Sequence, residues 1–128
     1  MKKNSSKNTK PELIVRKLLT RWGYRYRIHY SQLVGTPDIV FPKEKIAIFV
    51  HGCFWHQHGN CSFPKPPSIP KSWREKFIKN NQRDLDNLSK LRNLGWNPIV
   101  LWECRLLNSP TKEVESIVIA VERSRQLN

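Results

Sequence analysis

The chain has 128 residues, with 23 Lys and Arg against 10 Asp and Glu and a formal net charge of +13. That length suits one domain with a modest core and excludes two, and no apolar run approaches the roughly 20 residues needed to cross a bilayer. The positive excess points to a polyanionic partner held through its phosphates, and no basic amphipathic helix stands apart to suggest a membrane surface.

The N-terminal "MKKNSSKNTK" is basic but lacks a following apolar segment, unlike a secretory signal. A cytoplasmic protein with reduced cysteines is expected. Residues 1–8 read as disordered and 9–128 as one domain. Thr9-Lys10-Pro11-Glu12 has the spacing of a capping box with Pro in the first turn. It opens a helix whose apolar stripe is Leu13, Ile14, Leu18, Leu19 and Trp22, stopped by Gly23. "YRYRIHY" (24–30) alternates like a half-buried strand, with Arg25 and Arg27 on its outer face and His29 structural. "GTPD" (35–38) turns into a strand at 39–41, and after a second turn "IAIFV" (46–50) reads as a strand buried on both faces.

The Pro-rich stretch "FPKPPSIPK" rules out a helix or central strand. Ser72-Trp73-Arg74-Glu75 is a second capping-box spacing. It starts a long helix carrying Phe77, Ile78, Leu85, Leu88, Leu91 and Leu94 and ending at Gly95. "NPIVLWEC" (97–104) is a further strand, and a last helix buries Val114, Ile117, Val118 and Val121. The order α-β-β-β-α-β-α predicts a single α/β domain with a central mixed sheet flanked by helices. Its strand–helix–strand unit over 46–102 makes those two strands parallel neighbours.

"IFVHGCFWHQHGNC" (48–61) concentrates chemistry. Three cysteines cannot close a disulfide set, and beside histidines in a reducing compartment they indicate metal. Cys53, His58, Cys61 and Cys104 make a three-cysteine, one-histidine zinc set, closed and therefore structural. Spacing alone leaves His56 open as a ligand in place of His58. Asp38 begins one strand and His51 ends its predicted hairpin partner. A carboxylate there, with the facing backbone carbonyl at Val50, suits Mg2+, and a neutral imidazole can take a proton from water. Phe54-Trp55 is a large apolar pair on a polar loop, costly to expose without use. Lys76, Lys79, Asn80 and Arg83 recur at three- and four-residue steps on one helix face, where phosphates bind.

"TKPELIVRKLL", "GTPDIVF", "IFVHGCFWHQH", "KNNQRD" and "LGWNPIVLWEC", in this order, resemble the very-short-patch-repair (Vsr) DNA mismatch endonucleases over roughly residues 9–105. The resemblance implies a fold like the PD-(D/E)XK restriction endonucleases with the Glu-x-Lys motif replaced. It implies Mg2+-dependent nicking of one strand of double-stranded DNA beside a T:G mismatch. It assigns Asp38 to the catalytic metal and His56 to activation of the attacking water. His51 then supports the phosphate, and Glu12 touches the metal site through water. Cys53, His58, Cys61 and Cys104 become the zinc ligands, which resolves the choice between His56 and His58. Phe54, Trp55 and Trp73 become aromatics that meet the DNA, and Lys79, Asn80 and Arg83 become phosphate contacts. A likeness of this kind also carries mismatch-repair or DNA-methylation machinery as partners, and a monomer suffices to nick one strand. The chain departs from the pattern at Val50, where some members have threonine. It also has only eight or nine polar residues before its first helix, where members often carry a further helix that grips the DNA. The other readings are a restriction-type or modified-DNA endonuclease of this fold, and a non-catalytic zinc-containing DNA-binding module.

Overall fold

The computed structural model describes residues 9–52 and 71–127. Four strands form one sheet: β1 (Arg27–Ile28), β2 (Ile39–Phe41), β3 (Ile46–His51) and β4 (Asn97–Trp102), in the order β1-β2-β3-β4. β3 is central because it is apolar on both faces, and Ile46, Ala47, Ile48 and Phe49 are all buried. It pairs antiparallel with β2, from Ile39↔Ile48 to Phe41↔Ile46. With β4 it is parallel, from Ile46↔Asn97 to His51↔Trp102, as the strand–helix–strand reading required. Pro98 lies on β4 at the sheet's edge, where a missing N–H is tolerated.

Four helices flank the sheet among the described residues: α1 (Lys10–Arg21), α2 (Lys71–Asn93), α3 (Glu103–Asn108) and α4 (Pro110–Leu127). The period-two alternation of the strands divides the core in two. Ile39, Phe41, Ile46, Ile48 and Leu101 pack on one face against Val15 and Leu19 of α1, Leu106 of α3, and Val114, Ile117 and Val121 of α4. Val40, Ala47 and Phe49 point the other way, toward Leu91 of α2. Both long helix ends use glycine as read from the sequence. At Gly23 (φ +85°) the N–H of Tyr24 reaches Leu19 O at 2.9 Å, and at Gly95 (φ +90°) the N–H of Trp96 reaches Leu91 O at 3.0 Å. Each is a Schellman closure that satisfies the last carbonyls.

Several expectations are corrected. Thr9 is the N-cap of α1, but its side chain makes no capping hydrogen bond, and Glu12 is engaged elsewhere. The buried line of α1 runs Glu12, Val15, Leu19 rather than through Leu13, which is exposed. Helix α2 already includes Lys71, so Ser72 is not its N-cap. Of its apolar residues Phe77 and Leu91 are buried and Leu88 is half-buried, whereas Ile78, Leu85 and Leu94 are exposed. A helix of about 34 Å outruns strands of about 20 Å, so only one stripe of it can meet the sheet.

The strand expected over 24–30 pairs only at Arg27 and Ile28. Upstream, Tyr24 and Tyr26 pack edgewise or tilted on Phe41, and their hydroxyls donate to Glu122 at 2.6 Å and to Arg16 O at 3.1 Å. Side chains rather than ladder bonds hold that stretch. The last strand ends at Trp102, and Glu103-Cys104 instead open α3, which the sequence reading missed. Val118 packs against the core but is only partly buried.

Candidate active site

β3 and β4 run parallel and β2 runs against them, so the start of β2 and the ends of β3 and β4 share one end of the sheet. Asp38 immediately precedes β2. Its backbone N–H donates to Ile48 O at 2.9 Å, and its carboxylate Oδ2 accepts the Val50 N–H at 2.7 Å. Asp38 is thus pinned against the last turn of β3, as the predicted hairpin required. His51 closes β3, with its ring 5.1 Å from Trp102 in an edge-on contact and 6.1 Å from Phe49.

Glu12 arrives from α1, on the other side of the sheet, and is 1% exposed. Burying a carboxylate is costly unless it is paired. Its Oε2 takes His29 Nε2 at 2.7 Å and stands 3.5 Å from Arg16 Nη1. One ligand atom each from Glu12, His29 and Asp38 lie within 4.8 Å of one another. Burial pushes the Asp38 carboxyl up to about 7, opposed by the Val50 N–H and reinforced by the Glu12 charge. Two carboxylates and an imidazole crowded at a sheet end form a donor set that fits a divalent cation, whose charge would offset that repulsion.

A groove of about 530 Å³ opens here, lined among others by His29, Thr36, Asp38, His51, Arg83 and Asn87. Its far wall is α2, which brings Arg83 to the carboxylate end; the Arg83 Nη2 donates to Asn80 Oδ1 at 3.3 Å, one turn back. Gly35 sets the groove's width. At φ +82° it adopts a conformation that favours glycine, and a Cβ there would lie 3.2 Å from both Asn87 Nδ2 and Phe49 Cε1.

The model of the family described as "DNA mismatch endonuclease Vsr" matches residues 1–62, a span that contains Glu12, His29, Asp38 and His51. A type II nicking enzyme, V.NmeAIP of Neisseria meningitidis, is 46% identical over 108 residues, covering 84% of this chain and 77% of the relative. The chain belongs to the Vsr endonuclease family. V.XorIIP of Xanthomonas oryzae, also a type II nicking enzyme, is 46% identical over 83% of this chain and 78% of its own length. The DNA mismatch endonuclease Vsr of Escherichia coli is 38% identical over 83% of this chain and 68% of its own length. Family membership makes the protein an endonuclease and removes the non-catalytic module as a reading.

In this Vsr-family chain the site residues anticipated from sequence fall into three groups. Glu12, Asp38, Val50 and His51 meet at one sheet end, with Arg83 lining the same groove as Asp38 and His51. Asn80 and the exposed Lys79 lie on the same helix one turn earlier, and Trp73 lies half-exposed in the first turns of α2. Cys104 is buried in the first turn of α3, two residues after β4 ends beside His51. Cys53, Phe54, Trp55, His56, His58 and Cys61 lie outside the described residues.

His29 is the residue that sequence reasoning set aside. It was read as a structural residue of an alternating strand, but its φ is +47° and the alternation breaks there. The signal that would have found it was the hairpin itself. Arg27↔Val40 and Ile28↔Ile39 carry His29 opposite Asp38, where its N–H donates to Asp38 O at 3.0 Å. No helix among the described residues is long and apolar enough to cross a membrane.

Proposed function

We propose that the protein is a Mg2+-dependent endonuclease that nicks one strand of double-stranded DNA beside a T:G mismatch, as in very short patch repair. The observation that carries this reading is the meeting of the buried Glu12 carboxylate with Asp38, which lines a groove shared with His51 and Arg83. The mixed four-stranded sheet with the acidic residue at its end is compatible with a PD-(D/E)XK-like nuclease core.

In this reading Asp38 and the Val50 backbone carbonyl hold the cation, and Glu12 reaches it through water. A bound Mg2+ supplies Lewis acidity to the scissile phosphate and lowers the pKa of water. His56 accepts the proton of the attacking water, and His51 donates a hydrogen bond to the phosphate. Arg83, Asn80 and Lys79 hold the backbone of the DNA, which fixes register without reading bases. Phe54 and Trp55 wedge between base steps with Trp73 beside them, and a mismatched step unstacks at lower cost than a paired one. Cys53, His58, Cys61 and Cys104 hold a structural zinc that stiffens this loop. The parallel pairing of β3 and β4, which sends Gly52 and Cys104 out of the same sheet end, supports that set. The protein acts in the cytoplasm as a monomer, alongside mismatch-repair or DNA-methylation enzymes.

The test is a strand-specific nicking assay on duplexes identical except for T:G or T:A at one position, with Mg2+ or with chelator. Cutting of the T:G duplex alone, abolished by chelator, Asp38→Ala and His56→Ala, is the expected result. Equal cutting of both duplexes would move the assignment to a restriction-type or modified-DNA endonuclease.

A further inference from the structure

His29 has no part in the chemistry above, yet its placement is the least ordinary in the site. The chain from Tyr24 to Ile28 runs along the sheet edge, and the two ladder bonds that continue it are donated by His29 and Tyr30 to Asp38 O and Pro37 O. At His29 the backbone enters the left-handed region with φ +47°. Such a conformation is uncommon for a residue other than glycine. Its consequence is visible in the side chains. Ile28, which alternation should bury, is 43% exposed, while the imidazole of His29 is turned in beside Glu12 with only 18% of its surface in contact with solvent.

The imidazole is held there on two sides. Its Nε2 lies 2.7 Å from Glu12 Oε2, and its own backbone is bonded to the residue that carries the second carboxylate. One donor atom from each of Glu12, His29 and Asp38 falls within 4.8 Å of the other two. Ligands about 2.1 Å from an octahedral cation stand roughly 3 Å apart when adjacent and about 4.2 Å apart when opposite. Small side-chain adjustments therefore bring all three atoms onto one ion.

We propose that His29 is a direct ligand of the catalytic cation, completing with Glu12 and Asp38 a one-nitrogen, two-carboxylate set that takes a first-row transition ion such as Mn2+ more readily than Mg2+. This rests on the reading that Asp38 holds the cofactor; it changes the part assigned to Glu12, from contact through water to direct contact, and ranks Mn2+ above Mg2+ in affinity for the same site. The chemistry follows from the donors. Mg2+ prefers oxygen and gives up its water reluctantly, whereas first-row transition ions, Mn2+ the weakest of them, gain affinity from a nitrogen ligand. A neutral imidazole adds a ligand without adding charge, so two carboxylates balance one dication. In the cation-free protein the Nε2–H donates to Glu12. Coordination through Nε2 moves that proton to Nδ1, which changes the tautomer and not the charge.

The rival account is that His29 only orients Glu12 by that hydrogen bond, and a structural role of this kind puts no nitrogen on the ion. The two are separated by pulsed electron paramagnetic resonance of Mn2+ bound to the full chain without DNA, which detects 14N coupled to the metal. The wild-type protein is expected to bind Mn2+ with a 14N coupling. In His29→Gln the coupling is lost and Mn2+ binding, followed by the free-ion signal, weakens by about ten-fold or more. Mg2+ affinity, read by competition against Mn2+, falls by a smaller factor. His51→Gln serves as the second nitrogen control and keeps the coupling. An uncoupled wild-type spectrum, a coupling that survives His29→Gln, or wild-type protein that binds no Mn2+ overturns the assignment, the first and last without depending on any variant's folding. Asp38→Asn separates the two levels of inference. If it binds Mn2+ as wild type does, the reading of the cation site itself fails. If it loses the ion while His29→Gln keeps both affinity and coupling, only the role of His29 falls.

Discussion

The two ends of the sheet both gather carboxylates, and they treat them in opposite ways. At the turn end, Glu44 in the β2–β3 connection accepts Arg125 Nε at 2.9 Å, and Arg125 Nη1 lies 3.5 Å from Glu122. The same guanidinium lies 5.4 Å from the ring centre of Tyr24, whose hydroxyl donates to Glu122. That cluster ties two carboxylates to one shared guanidinium and is half-open to water, with Arg125 48% exposed. At the other end, Glu12 and Asp38 are brought together beside a groove that Asp38 lines, and Arg16 Nη1 stands 3.5 Å from Glu12. Asp38 responds with a carboxyl pushed up to about 7 by burial. An ion pair that stabilises the fold satisfies itself; a site that takes a ligand leaves charge for the ligand to satisfy.

The largest effect is expected where that charge is removed. Asp38→Ala should lower the nicking rate by about 10³-fold or more, because the contribution of a bound metal to the barrier is several kcal/mol. Its melting temperature should stay level or rise, since a costly buried carboxylate has gone. A variant that nicks normally would break the contrast between the two ends outright.

Next comes pH. The Asp38 carboxyl titrates near 4 when unfolded and at about 7 when folded, so between those values the native state holds a proton that the unfolded state has released. Stability from this group is therefore complete below about pH 4 and is lost as pH rises through about 7. Thermal melts in chelator should show wild-type stability falling over that window relative to Asp38→Asn, which cannot ionise. Adding a divalent cation at pH 8 should raise the wild-type melting temperature and leave Asp38→Asn unmoved. Glu12→Gln should shift the midpoint downward, because the Glu12 charge is one of the causes holding it up.

Arg83 sharpens the comparison from the cationic side. Its described partner is the neutral Asn80, whereas Arg125 is engaged by two carboxylates. Arg83→Ala should weaken DNA binding several-fold at low salt and reduce the slope of log affinity against log salt by about 1. Arg125→Ala, at the turn end of the sheet, should change neither nicking nor that slope. Its cost in stability should be about 1 kcal/mol, read from denaturant melts, since the guanidinium is half-exposed while the Glu44 carboxylate it leaves is only 8% exposed.

Much of this was legible in the residues. An apolar run such as "IAIFV" has few solutions besides a central strand, and the glycines at 23 and 95 end helices because they alone accept left-handed backbone at no steric cost. The pairing of Asp38 with the end of β3 followed from a hairpin whose turn, Pro42 to Lys45, could be read directly. The misses have physical causes too. Leu13, Ile78 and Leu85 looked like core because spacing reveals an apolar stripe without revealing which side meets the sheet. Cys104 was placed on a strand because a residue just past β4 differs from one on it only by local backbone angles.

The sequence by itself determined the element order, the mixed sheet, the basic charge and the residue types a nuclease needs, because period, turn chemistry and composition are local properties of the chain. Tertiary structure alone decided that Glu12 is buried and that His29, read as structural, turns toward it. Those two facts depend on α1 crossing to the end of a sheet formed by segments far along the chain, and on a positive φ at one histidine that no local preference encodes.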